Sequence, residues 1–266
     1  MMTGILILGY LFFGILSFLA FAATRSKVLF YASVLSGLVT LAVHGVVIFK
    51  RGITAGHVPW TNTYETLILF GFLIIVLYFL TLIRYRTVGL GGFAGVVVAF
   101  LLALTSLLSP EIEPLLPSLK SNWLLFHVLS AFIGYSAFAV AFGSAALFLI
   151  IDVVGKFSGK TNVDATLAYF DWLTYRLIAI GFPFLTLGIA TGAIWANESW
   201  GRYWNWDPKE TCAFITWLIY AICLHMRNVD ELKGKPAAWL ALFGFATVIF
   251  TYFGVNFWLA SLHAYA

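Results

Sequence analysis

An all-α, polytopic integral membrane protein is the fold class this sequence predicts, and three observations carry it. Of its 266 residues, 62% are hydrophobic and only 10% charged. The mean hydropathy is +0.98, far outside the range of an ordinary soluble domain. The charges fall in short breaks between apolar runs of about twenty residues, the length that crosses a bilayer core as a helix. No soluble domain fits in those breaks, so residues 1–266 are expected to form a single transmembrane domain. The net charge of +4 is accounted for by basic loops on one membrane side and calls for no nucleic-acid partner.

Eight spans are expected, at 4–22, 28–49, 63–83, 90–108, 123–151, 174–196, 208–227 and 237–260. The first run has no basic residue ahead of it, where a cleavable signal would carry one. Arg25 and Lys27 follow it instead, so it reads as a retained helix. The fifth is long enough to tilt or to project beyond the bilayer. Gly91 and Gly95 in the fourth span, and Gly188 and Gly192 in the sixth, have the spacing that lets helices pack closely in lipid.

Orientation follows from Lys and Arg. One set of loops holds ten of them, at 25, 27, 84, 86, 156, 160, 176, 227, 233 and 235; the other holds five, at 50, 51, 120, 202 and 209. The richer set is expected on the cytoplasmic side, which puts both termini outside. Cys212 and Cys223 lie eleven residues apart on one predicted helix. There they cannot bond to each other, and they read as buried, inert thiols.

The stretch WANESWGRYWNWDPK, residues 195–209, is expected to be an outer loop. It holds four of the ten tryptophans within twelve residues: Trp195, Trp200, Trp204 and Trp206. An interfacial belt places one or two at each helix end, so four together favour a shelf for a flat ligand. Its last part has a second reading. Asp207 suits a helix N-cap, Pro208 the first helical position and Glu210 the third, which together make a capping box.

Imidazole is the commonest axial ligand of haem iron. His127, four residues into the fifth span, and His263, after the last, share the surface of the tryptophan stretch. Two imidazoles and an aromatic plate at one depth suggest an external bis-histidine haem site, with Arg202 and Lys209 as partners for the propionates or as solvated loop charges. His225 lies late in the seventh span, about 20 Å from its outer end at 1.5 Å per residue, too deep to join that pair. A histidine inside lipid needs a partner or a function: it could bond another helix or ligate a second haem with help from another polypeptide. His44 is a poor depth match for it. His57 stands in the outer loop GHVPWTNTYE, where a structural role and a ligand contact are both open. The sequence contains no GxxxxGK[ST], HExxH, G-x-S-x-G or CxxCH, which argues against nucleotide binding, zinc proteolysis, serine hydrolysis and covalent haem attachment to this chain.

The block WANESWGRYWNWDPKETCAFITWLIYAICLHMR resembles the WWD signature of the haem-handling protein superfamily, and within it the CcsA/ResC branch of System II cytochrome c biogenesis. GHVPWTNTYET, WLLFHVLSAFIGYSAF, GFPFLTLGIATGAIW and FGVNFWLASLHAYA agree with it, so the resemblance runs from Gly56 to the C-terminus. The first two spans match only as apolar helices. Cys212 is a departure, since the family often has tryptophan there.

The resemblance implies that His127 and His263 are the external ligands of haem b and that His225 is the membrane ligand, opposed by a residue of a CcsB/ResB-type partner. Trp195, Trp200, Trp204, Trp206, Asp207 and Arg202 fall in the part of the signature that would bind the cofactor. The implied function is cytochrome c maturation. Haem, with a route through the membrane, is bound at the outer face and presented for thioether attachment to the CxxCH of apocytochrome c. The chain would then be a subunit of a holocytochrome c synthase, or haem lyase. Positioning would be its contribution, since no residue reads as a required general base. Thiol-reducing proteins are further implied partners. The expected location is a bacterial inner membrane or a thylakoid membrane, with the tryptophan stretch facing the periplasm, the outside or the lumen. The alternatives are a haem transporter or delivery protein without ligation activity, and a cofactor-free structural subunit.

Overall fold

A computed structural model describes residues 2–23, 26–85, 87–157 and 163–259. Among the described residues there are helices and connections and no strand. Among the described residues, seven helices are long and apolar enough to cross a membrane: α1 (Met2–Ala22), α2 (Lys27–Ala55), α3 (Thr63–Tyr85), α4 (Val88–Leu104, continued to Leu107), α5 (Asn122–Phe157), α6 (Asp164–Trp200) and the run Lys235–Trp258, which begins with α8 (Lys235–Ile249). The span expected at 208–227 is also a helix, α7 (Pro208–Met226). With Lys209, Glu210 and His225 among its 19 residues it is not one of those seven, and the expected count of eight rests on it. The chain divides into two compact units, Met1–Leu115 and Leu116–Ala266.

In the first unit, glycine lets α1 and α4 touch. A Cβ at Gly95 would lie 2.6 Å from the Tyr10 carbonyl oxygen, and one at Gly91 would strike Ser17 Oγ at 2.1 Å. The spacing read as a packing motif therefore brings backbone against backbone at Gly95 and makes room for the side chains of Ser17 and Tyr78 at Gly91, the close packing that association in lipid requires. Tyr10, Phe13, Leu67, Phe70, Ile75 and Tyr78 fill the interior. His44 is completely buried among them, and its Nδ1 shares a 2.9 Å hydrogen bond with Tyr10 Oη.

The loop after α2 is held by charge. Ser26 caps the start of α2 through the Leu29 amide, and Gly56 ends it at φ 70°, a conformation that favours glycine. Beyond it, Glu65 is 2% exposed. It receives Arg51 Nε at 2.8 Å on one oxygen and the amide and hydroxyl of Thr61, each at 2.9 Å, on the other. The Arg51 guanidinium also donates to the carbonyls of Pro110 and Glu111 and lies over the Tyr64 ring. A buried carboxylate is tolerated because both of its oxygens accept from donors and an arginine balances its charge.

In the second unit, α5 and α6 form an antiparallel pair of 36 and 37 residues. At 1.5 Å per residue each is about 54 Å long, well beyond a bilayer core of about 30 Å. The sixth span, expected at 174–196, is the middle of a helix that starts at Asp164. The pair meets at Gly134, Gly181 and Gly188, where an added Cβ would press on the opposite helix at about 3 Å or less. Phe138 stacks on Tyr220 of α7 at 3.6 Å. Cys212 and Cys223 both lie on α7 as free thiols.

At one end of this unit, Asp171 pairs with Arg227 and accepts the Gly234 amide at 2.9 Å, while Asp152 binds Lys235 at 2.9 Å. These basic residues are therefore ties between helices as well as loop charges. At the other end, α8 passes into a π-helical turn, Phe250–Gly254, and a last helical turn, Val255–Trp258.

Replacing Glu65 with Ala strands a mostly buried guanidinium. The expected loss is about 3 kcal/mol, read as a lowered thermal unfolding midpoint of the detergent-solubilised protein, with Glu65→Gln falling between it and the parent.

Candidate functional site

The end of the second unit that carries the tryptophans is fastened by polar contacts from several elements. The Ser118 carbonyl, just before α5, accepts Trp195 Nε1 at 2.9 Å and Ser199 Oγ at 3.2 Å, both from α6. Ser121 Oγ donates to Glu198. Lys209 Nζ, at the start of α7, donates to Asn256 Oδ1 at 2.8 Å. Tyr252, in the π-turn, meets Phe132 of α5 edge to face at 5.7 Å.

His127 is half-buried on the second turn of α5. Its Nδ1 lies 2.7 Å from the Gly188 carbonyl oxygen of α6. A carbonyl can only accept, so Nδ1 carries the proton, and the lone pair of the neutral ring is at Nε2. Trp195 lies nearly parallel to the imidazole, 14° between planes and 5.8 Å between centroids. It is 1% exposed, and Trp200 meets it edge-on at 4.9 Å. One imidazole is thus fixed in tautomer and orientation by a carbonyl and an indole.

The tryptophan stretch is less of a loop than the sequence suggested. Helix α6 continues through Trp200 and ends at Gly201, φ 73°, whose amide bonds back to the Asn197 carbonyl. Trp195 and Trp200 are therefore helical, and only residues 201–207 connect α6 to α7. The helix continues because WANESW contains neither glycine nor proline, and the first residue suited to the left-handed cap is Gly201. Trp204 and Trp206 belong to a second group of rings. They meet each other at 5.7 Å and 89°, and Trp204 reaches Phe214 at 6.3 Å. Phe214 stacks on Trp217, which in turn packs on Phe182. Trp206 has φ 55°, the only non-glycine in the left-handed region among the described residues, and the residue is 69% exposed.

The capping box is present as read. Asp207 accepts the Lys209 amide at 3.0 Å, and Glu210 accepts the amides of Asp207 and Asn205. These carboxylates fix where the connection turns into α7. Arg202 is exposed and donates to Asn205 Oδ1 at 3.1 Å. Lys209, paired above as a second candidate for propionates, is directed to Asn256 instead.

Of the expected iron ligands, the structure brings His127 together with Trp195 and Trp200. His225 is exposed, one residue before the end of α7, roughly 25 Å along the axis from Pro208. His263 lies outside the described residues. Ser118, Gly192 and Phe214 were not singled out in the sequence as parts of the site. The Gly188–Gly192 spacing was a visible signal, but it carried only a packing meaning.

Residues 60–263 match the family described as Cytochrome C assembly protein. The chain belongs to that family. Membership places it in cytochrome c maturation, and its apolar helices make it an integral membrane protein. This family member is similar to the cytochrome c biogenesis protein CcsA of Chlorella vulgaris, 37% identical over 250 residues, covering 81% of this chain and 79% of the other. CcsA of Guillardia theta is 35% identical over 268 residues, covering 91% and 87%. Protein NrfI of Wolinella succinogenes is 38% identical over 276 aligned residues, covering 98% of this chain but only 29% of NrfI. The fold is shared with a solved cytochrome c haem lyase, CcmF, with a TM-score of 0.65 at 17% identity; the match covers 99% of this chain and 47% of that one. The chain thus spans about half the length of that solved protein.

Asp207→Ala removes one half of the capping box. The expected cost is about 1 kcal/mol, appearing as faster hydrogen exchange at the amides of Lys209 to Thr211 while Thr216 to Tyr220 exchange as before.

Proposed function

We propose that this chain holds haem b at the outer membrane face and presents it to apocytochrome c, with His127 and His263 as the two axial ligands. The observation that carries the reading is the setting of His127. Its Nδ1–H is held by the Gly188 carbonyl at 2.7 Å, so Nε2 is the nitrogen that ligates. A metal-binding histidine commonly has its other N–H tied in this way. Trp195 covers one side of the ring, while Trp200, Trp204 and Trp206 offer apolar, flat surface for the porphyrin, and Arg202 a cation for a propionate.

In this reading α7 begins on the outer side, both termini lie outside, and the chain has eight spans. His225, at the far end of α7, is an inner ligand shared with a CcsB/ResB-type partner. It receives haem before the outer pair does, in a bacterial inner membrane or a thylakoid membrane. The bond-forming chemistry belongs to the two substrates: each S–H of the CxxCH motif adds across a haem vinyl group, forming one C–S and one C–H bond with no net redox change. The chain contributes orientation and exclusion of water, and thiol-reducing proteins keep the cysteines available. The substrate's own histidine then replaces one of the chain's imidazoles, which releases the product.

The test is an absorption spectrum of the chain purified with its CcsB/ResB-type partner. His127→Ala and His263→Ala are each expected to lose most of the Soret band, and retention in both overturns the external site. Adding apocytochrome c to the haem-loaded pair is expected to give covalent product. Bound haem without product would assign carriage rather than synthesis.

A further inference from the structure

Gly188 and Gly192 have the spacing of an ordinary helix-packing pair, but the two glycines meet different things. A Cβ at Gly188 would lie 3.0 Å from the Ala131 amide nitrogen and 3.1 Å from its Cα, so this glycine lets the backbones of α5 and α6 come together. A Cβ at Gly192 would instead lie 2.5 Å from His127 Nδ1, 2.7 Å from its Cε1 and 3.4 Å from its Cγ. All three nearest atoms belong to one imidazole.

We infer that Gly188 and Gly192 form a seat that positions the His127 imidazole. This rests on the reading of His127 as an axial ligand. Gly188 supplies the carbonyl that accepts Nδ1–H at 2.7 Å, and its missing side chain brings that carbonyl within reach of α5. Gly192 leaves the space that the ring occupies. Trp195 lies against the imidazole at 14° and is itself held by the Ser118 carbonyl at 2.9 Å. Positions 188, 192 and 195 are spaced i, i+4 and i+7, so all three lie on one stripe of α6. The sequence G-x-x-x-G-x-x-W therefore specifies a carbonyl, a gap and a cover for one histidine ring. Elsewhere along the same helix pair the pattern differs: Gly181 faces Phe138 and Ala137, and Gly134 faces the backbone of Gly181 and Leu185. Those are packing contacts, and no imidazole takes part in them. Gly188 and Gly192 are positioning residues, since they act on the substrate through His127.

The experiment compares Gly192→Ala, His127→Gly and the double variant, each purified with the membrane partner. It reads the Soret band per protein and the gel-filtration profile, with and without added imidazole. Gly192→Ala is expected to lower haem occupancy about 10- to 100-fold, the range for loss of a ligand's supporting contact, and so to approach His127→Gly. The double variant is expected to be no worse than His127→Gly, because the added methyl no longer meets a ring. Imidazole should restore the band equally in both. An unchanged band in Gly192→Ala overturns the seat, as do losses that add in the double variant. If Gly192→Ala fails to fold, the double variant is expected to recover the folded profile, and failure of both overturns the seat. A wild-type band in His127→Gly without imidazole would instead overturn the ligand reading itself.

Discussion

In lipid, apolar side chains gain little by leaving the solvent, so helices associate through close packing and hydrogen bonds. The second unit depends on that constraint. Its two longest helices meet where Gly134 and Gly188 allow backbone to approach backbone and Gly181 makes room for Phe138 and Ala137. Close approach is what permits a carbonyl on α6 to serve a histidine on α5. With bulkier residues at these points the helices would stand farther apart, and a 2.7 Å bond between them could not form. The packing requirement and the chemical requirement are met by the same residue.

The remaining polar groups at that end follow the same economy of contacts. Ser118 spends one carbonyl on an indole and a hydroxyl of α6. Asp207 and Glu210 satisfy the orphan amides of a helix start, and Lys209 ties that start to the end of the last span. In the first unit the Arg51–Glu65 pair plays the corresponding part for the loop after α2. The ties made by Ser118 and Lys209 join segments far apart in sequence, and all of these ties stand at the ends of spans, where the apolar helices themselves provide little to fix the connecting chain.

Most of the fold was legible because hydropathy reports directly on which residues can lie in lipid. Every expected span contains a helix, and the capping box at Asp207 was readable because its residue types and spacing carry a single local meaning. Two kinds of feature escaped. Helix ends outside the apolar core, such as α6 from Asp164 to Trp200, give no hydropathy signal, so Trp195 and Trp200 were assigned to a loop. Roles that depend on a partner helix, such as the carbonyl of Gly188 or the space at Gly192, are invisible in one strand of sequence because glycine looks the same whether it faces backbone or imidazole. His127 was legible as a candidate, but its fixed tautomer was not.

The π-turn at Phe250–Gly254 also carries a counting rule. A π-turn takes one more residue than an α-turn to climb the helix, and each α-helical residue advances the face by about 100°. The side chains after Gly254 are therefore out of phase with those before Phe250. Asn256 meets Lys209 with that offset built in, while Tyr252 within the turn meets Phe132. Removing a single residue from the turn would preserve the composition of the last span and nearly all of its hydropathy. It would still rotate Asn256 off its lysine, so residue number at this point is as much a determinant of how Val255–Trp258 docks as residue type.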